Sequence, residues 1–316
     1  MNEAALAERV LPAYGLDPPV VCRFLERGDS DIYRVEAGRG RVYFKVYRPP
    51  HSPERVEAEA RFAAALISAG LPCVRPVSRS DGRYATVIEA PEGPRPAVVY
   101  EEAPPPLPAD LNDTWMEQIG RLIGQLHNVA DTLAPDDHPY TPEHDARFGS
   151  LVAAVEPYLN ANQLAVYRST CEAAACWQRG LSKKNPAYGP CHADLVLPNI
   201  RATPDGQPVL FDLGNAAMHW RALELAVVYW NMEYRCKGRR ESFWRALLEG
   251  YRASGRETGQ IEDRLPMMLV LRQLAFMAGC FATCPIRMGV GVIEGKSTQD
   301  AMARLERLAK HAGLVD

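Results

Sequence analysis

Apolar and polar positions change rhythm twice along this chain, and each change marks a different kind of element. Residues 2–14 carry the spacing of a short amphipathic helix, which Pro18-Pro19 brings to an end. Runs rich in Val, Ile, Tyr and Phe follow at 20–25, 32–36 and 41–47, separated by Gly28-Asp29 and Gly38-Arg39-Gly40. Such a pattern predicts three antiparallel strands joined by tight turns. Ser52-Pro53-Glu54 then opens a helix, with Ser as N-cap and Pro at the first helical position. Val56, Phe62, Leu66 and Ile67 give that helix an apolar stripe, and Gly70 stops it. Two more strands are predicted at 84–89 and 97–100, so the first hundred residues read β-β-β-α-β-β.

The second change comes at Pro104-Pro105-Pro106 and Pro108, which make 102–110 a stiff connector. Beyond it the pattern is helical at 112–129, 142–160, 162–180, 219–236, 240–254 and 260–282. A loop with short strands interrupts these helices at 187–213. No internal repeat is present. The expected fold is α+β and bilobal, with a small β-rich lobe over 1–102 and a larger, mainly helical lobe over 103–316. A cleft between two lobes is a usual place for a ligand.

Composition narrows the function. Of 316 residues, 47% are apolar and the net charge is −3, so no basic field points to nucleic acid or an anionic membrane. Glu3 and Glu8 interrupt the start of the chain, which does not read as a secretory signal. The longest apolar stretch, 265–292, is broken by Arg272, Gln273, Pro285 and Arg287, and reads as buried helix rather than a span. Eight cysteines form no Cys-x-x-Cys pair and have no His at zinc-finger spacing. They are expected to be reduced, packed thiols in a cytoplasmic protein.

The candidate chemistry sits in the interruption. Cys191-His192-Ala193-Asp194-Leu195-Val196-Leu197-Pro198-Asn199 holds His-x-Asp followed by Asn. Downstream, Val209-Leu210-Phe211-Asp212-Leu213-Gly214 places a second Asp at the end of an apolar run. Phosphoryl transfer from ATP needs a carboxylate near the attacking hydroxyl and oxygen ligands for Mg²⁺ on the phosphates. Asp194 suits the first role; Asn199 and Asp212 suit the second, since Mg²⁺ takes few hard oxygen ligands from protein.

These residues resemble the signature of the aminoglycoside phosphotransferase and choline-kinase-like family, most closely its bacterial homoserine-kinase-like members. The likeness covers most of 20–230. It implies that Lys45, at the end of Tyr43-Phe44-Lys45, binds the α- and β-phosphates and that Glu59 is its partner, while Glu57 lies on a solvated face. It further implies that Gly28-Asp29-Ser30-Asp31 is the loop over the phosphates, with Gly28 and Ser30 at the nucleotide. In the same way Val99-Tyr100-Glu101-Glu102 would hold adenine through backbone atoms, with Tyr100 and Glu102 named for that contact. His127 is expected to be a packed histidine, His192 a brace of the catalytic loop, and Glu224 an anchor of that loop. Two departures stand out: Ala193 replaces the usual Gly, and Val196-Leu197-Pro198 stands where His-Pro-Gly is common.

The activity implied is an ATP- and Mg²⁺-dependent transfer to the hydroxyl of an amino alcohol, sugar or aminoglycoside. A protein Ser/Thr kinase of the same fold and a nucleotide-binding pseudokinase are the alternatives. Acceptor residues have no transferable spacing. Glu233, Glu241 and Glu249 could meet a cationic amine or simply face solvent, and Trp230, Tyr234 and Trp244 could line a pocket or pack in the core.

Overall fold

The structure is a computed structural model that describes residues 2–28, 30–38, 40–49, 51–91, 93–139, 147–236, 238–287 and 296–314. Two compact units divide the chain: residues 1–140, 190–218 and 241–256 form one, and 141–189, 219–240 and 257–316 form the other.

The first unit is built on a five-stranded antiparallel sheet of β1 (Val20–Arg27), β2 (Ser30–Ala37), β3 (Gly40–Tyr47), β4 (Thr86–Ala90) and β5 (Gly93–Glu101), in the order β1-β2-β3-β5-β4. Alternation along β3 gives the sheet two buried faces. Phe44 and Val46 point into a cluster with Tyr33, Val35, Ala97 and Val99, covered by Leu6 of α1 (Glu3–Arg9) and by Leu11 and Tyr14 of the following 3₁₀ turn. Pro12 ends the regular helix earlier than the predicted 2–14. Tyr47 points the other way, toward Val56 and Ala60 of α2 (Pro53–Ser68). Ser52 caps α2 by accepting from the Arg55 N–H at 3.2 Å.

α3 (Asp113–Ala130) and α7 (Arg240–Ala253) approach each other at glycines. A Cβ on Gly120 would stand 1.9 Å from the Leu247 carbonyl oxygen, and one on Gly250 1.9 Å from that of Glu117. His127 lies buried against Tyr251, with Nδ1 2.9 Å from the hydroxyl, as a packed histidine should. Two short strands, β7 (Ile200–Ala202) and β8 (Pro208–Leu210), form a hairpin. Leu210 exchanges hydrogen bonds with Pro72 and Val74, both at 3.0 Å, which ties the end of β8 to the segment that follows α2. β6 (Tyr188–Cys191) and β9 (Ala217–Trp220) lead into and out of this region.

The second unit is helical: α4 (Arg147–Val155), α5 (Ala161–Arg179), α6 (Arg221–Arg235), α8 (Gly259–Arg287) and α9 (Lys296–His311). The predicted helix at 142–160 begins among residues outside the described set and passes into a 3₁₀ turn at Pro157. α9 was not among the predicted helices. Residues 219–220 are strand rather than helix, and α6 starts only at Arg221. Within α8, Gly259–Phe281 has the length and apolar content of a membrane span, but 56% of that window is buried inside the protein, as in a core helix. Trp230 packs in this unit's core: Arg304 lies 4.2 Å over its ring, and its Nε1 donates to Gln273 Oε1 at 2.9 Å. Glu233 is tied to Arg304 at 2.8 Å and Arg307 at 3.2 Å rather than left to solvent. Glu224 is buried on α6, while Trp244 of the first unit is buried and Glu241 and Glu249 are exposed. The side chain of Tyr234 lies outside the described residues.

Candidate active site

All the charged residues singled out in the sequence for phosphates and metal belong to the first unit. β3 carries Lys45 on the face that meets α2, and α2 carries Glu59 on its buried stripe. The Lys45 ammonium stands 2.7 Å from Asp212 Oδ1 and 3.5 Å from Glu59 Oε1. Burial opposes the charge on Lys45, but the Asp212 and Glu59 carboxylates outweigh it and hold the amine above its ordinary range. Burial likewise favours a neutral Asp212, and Lys45 reverses this, keeping Asp212 below the usual carboxylate range.

Asp212 follows β8 with φ of +62°, the left-handed region, and Ala193 has φ of +63° beside Asp194. Both are non-glycine residues in a conformation that costs about 1–2 kcal/mol. At Ala193 the backbone therefore takes a glycine-like shape without the glycine. The loop is held by short bonds: Val196 N–H donates to the Asp194 carbonyl at 2.8 Å, and Asn199 Nδ2 donates to the same carbonyl at 2.8 Å. Donation through Nδ2 leaves the Asn199 amide oxygen as an acceptor. Asn215 Nδ2 stands 3.3 Å from Asp194 Oδ2. His192 Nε2 lies 2.9 Å from the Phe211 carbonyl, so the histidine ties the loop of Asp194 to the residue before Asp212.

Several contacts had no signal in the motifs. Tyr47 donates its hydroxyl to Glu59 Oε1 at 2.6 Å, and Tyr100 donates to the same oxygen at 3.1 Å. The strand period places Tyr47 on the face of Lys45, which is the signal that could have found it. Arg55, one turn before Glu59, donates to the Gly214 carbonyl at 3.1 Å. Glu57, expected on a solvated face, accepts instead from the Ala85 N–H at 2.7 Å and the Tyr84 N–H at 3.1 Å. Arg201 stacks 4.2 Å over the Phe211 ring.

The remaining candidates sit elsewhere in the same unit. Gly28 donates its N–H to the Ser30 carbonyl at 2.9 Å in the β1–β2 turn, Ser30 is buried, and Asp29 lies outside the described residues. Asp31 next to them is buried among Arg95 at 2.7 Å, Arg27 at 3.1 Å and Arg48 at 3.2 Å. Glu102 accepts from Arg41 at 2.7 Å and from the Tyr43 hydroxyl at 3.2 Å. The Glu101 N–H donates to the Arg75 carbonyl at 2.9 Å.

Among the described residues no cluster of three or more His, Cys, Asp or Glu side chains forms a self-contained metal site. The donors present are hard oxygens, a carboxylate at Asp212 and an amide at Asn199. That set fits Mg²⁺, which takes one or two protein ligands and completes its shell with phosphates and water. The seven described cysteines are free thiols. Burial pushes the Cys73 thiol up to about 12, which leaves it inert at neutral pH.

A family model described as "Phosphotransferase enzyme family" matches residues 21–261. An uncharacterized protein of Deinococcus radiodurans is 32% identical over 286 residues, which is 86% of this chain and 80% of that protein. The fold is similar to that of an amicoumacin kinase solved with AMP-PNP, Ca²⁺ and Ami, with a TM-score of 0.79 at 19% identity, covering 98% of this chain and 93% of the other. It is similar also to a microcompartment-associated aminopropanol kinase, with a TM-score of 0.78 at 21% identity over 99% of each chain. The α+β, protein-kinase-like architecture, with a β-rich N-terminal region and a helical C-terminal part, is thereby established.

Proposed function

Because this chain belongs to the phosphotransferase enzyme family, we propose that it transfers the γ-phosphoryl group of ATP to a hydroxyl of a small molecule, an amino alcohol, sugar or aminoglycoside, with Mg²⁺. The observation that carries this reading is the meeting of Lys45, Glu59 and Asp212 at 2.7 and 3.5 Å, with His192 linking the Asp194 loop to that group. Lys45 would neutralise the α- and β-phosphates, and Glu59 would hold its ammonium. Asp212 and Asn199 would hold Mg²⁺, which when bound supplies positive charge against the phosphate oxygens. Gly28 and Ser30 of the first hairpin, and the Tyr100–Glu102 backbone, complete the proposed nucleotide contacts.

Asp194 is the catalytic carboxylate in this reading. It aligns the acceptor hydroxyl and accepts its proton as the new O–P bond forms and the bond to ADP breaks. The 1–102 region would then serve nucleotide binding, and 103–316 would supply the catalytic loop and the acceptor side. Free thiols accord with a cytoplasmic location.

The test is an ATP-consumption screen over amino alcohols, sugars and aminoglycosides, with Asp194→Asn alongside and EDTA as a metal-free arm. Acceptor-dependent ADP release that both controls abolish is expected. ATP binding without turnover on any acceptor class would overturn the reading.

A further inference from the structure

Glu59 is held by more than its lysine. One of its oxygens, Oε1, accepts from two phenols at once, Tyr47 at 2.6 Å and Tyr100 at 3.1 Å. The other, Oε2, is buried and has no hydrogen-bond partner. A buried carboxylate oxygen left unbonded is costly, so its surroundings bear on function. Gly214 shows where it faces. A Cβ built there would lie 3.7 Å from Glu59 Oε2, 3.2 Å from Lys45 Nζ and 3.3 Å from Asp212 Oδ1. The unbonded oxygen therefore borders the same small space as the Lys45 ammonium and the Asp212 carboxylate.

We propose that Tyr47 and Tyr100 are positioning residues of the nucleotide site: their hydroxyls clamp Glu59 by Oε1 and keep Oε2 available to the Lys45 ammonium. The proposal rests on reading Lys45 as the phosphate-binding lysine. Asp212 is the nearest acceptor of Lys45, and if that contact is given up for a phosphate, a second anion beside the ammonium keeps it in place. Oε2 is that anion, already in place and already dehydrated. Were Asp212 to turn to a metal, Glu59 would still stand beside the ammonium as its partner.

Both phenols are suited to the task. Tyr47 of β3 is buried and Tyr100 of β5 partly buried, both on the α2 face of the sheet, so Glu59 receives one hydroxyl from each of two neighbouring strands. Burial first and the Glu59 carboxylate second push both hydroxyls well above their ordinary range, so each keeps the proton it needs to donate to Oε1. Lys45 also lies 4.4 Å over the Tyr47 ring, which adds a cation–π contact. Tyr100 thus acquires a side-chain role separate from any backbone contact with adenine.

The experiment is a double-mutant cycle on the full chain, using Mg²⁺ with AMP-PNP as the probe and reading affinity and melting temperature together. Tyr47→Phe and Tyr100→Phe each remove one oxygen and keep the ring. Each should weaken AMP-PNP binding about three- to tenfold, the scale of one ordinary hydrogen bond, because the phenols act through Glu59 and not on the nucleotide itself. In a Glu59→Ala background, or Glu59→Gln if the smaller residue does not fold, the same changes should cost little or nothing more. Unchanged affinity in the folded single variants overturns the proposal, as does an equal loss with and without the Glu59 carboxylate. A wild-type chain that does not bind AMP-PNP overturns instead the reading of Lys45 on which it stands.

Discussion

Lys45 lies nearer to Asp212 than to Glu59, at 2.7 Å against 3.5 Å. The pair is held charged against burial, with Asp212 lowered and Lys45 raised. A lowered acid contributes stability that is present above its unfolded value of 3.8 and lost as pH falls through the folded one. A raised base contributes stability that is complete below 10.5 and lost as pH climbs through the folded value. The pair should therefore stabilise the first unit between these limits. Asp212→Asn should flatten the acid limb of melting temperature against pH, and a limb identical to wild type would remove Asp212 from that transition.

Lys45→Ala should weaken nucleotide binding roughly tenfold or more in a protein that stays folded, since a charge-assisted contact is lost. Asp212→Asn keeps size and removes charge, so turnover should nearly vanish along with the Mg²⁺ dependence of ATP binding. Calorimetric titration with and without Mg²⁺ separates the two variants. A folded Lys45→Ala protein with unchanged rate would take the lysine out of the site.

Asp194 should behave differently from both. Its backbone carbonyl accepts from Asn199 and Val196, so the loop's shape rests on main-chain atoms that Asp194→Asn leaves intact. The variant should spare ATP affinity and lower kcat by roughly 10²-fold or more, the scale of a positioned base. Should affinity and melting temperature fall together with the rate, Asp194 braces the loop rather than serving the acceptor hydroxyl.

The sequence made the sheet and most helices legible because their signals are local. Gly28 and Gly38-Arg39-Gly40 punctuate β1 to β3, and Ser52-Pro53 opens α2. What escaped depended on contacts distant in sequence. Glu57 looks like any exposed helical acid until Tyr84 and Ala85 bring their N–H groups to it. Tyr100 is a β5 residue whose hydroxyl meets Glu59 only once strand β5 lies beside β3. The order β3-β5-β4 is likewise set by pairing, which alternation within each strand does not encode. The charged motif residues were legible one by one; that Lys45 would rest on Asp212 was not.

Ala193 provides a test of the loop's departure from the usual glycine. Its φ of +63° strains an alanine by about 1–2 kcal/mol, which glycine would relieve. Glycine also loosens the unfolded chain, at a cost of about 0.4–1 kcal/mol. Ala193→Gly should thus be neutral or stabilise by up to about 1.5 kcal/mol, whereas the β-branched Ala193→Val should destabilise clearly. Chemical denaturation of the two variants checks the sign. A loss of stability in Ala193→Gly would mean that the methyl group makes packing contacts worth more than the strain.

Gly250 carries the opposite expectation, because space and not conformation requires it. It lies within α7, where alanine is ordinarily the better residue by about 1 kcal/mol. Here a Cβ would stand 1.9 Å from the Glu117 carbonyl oxygen and 3.0 Å from the Arg121 nitrogen, both backbone atoms of α3. Backbone cannot rotate aside as a side chain can, so the two helices would have to separate. Their separation would loosen the buried His127–Tyr251 contact as well, since it bridges the same pair of helices. Gly250→Ala should therefore cost about 3 kcal/mol or more despite the gain in helix propensity, the upper range for overpacking. Gly120→Ala should do the same through Leu247, and the double variant should cost less than the sum, because one separation of the helices accommodates both methyls. Urea unfolding of the three variants decides it, and fully additive losses would show that each glycine yields locally instead.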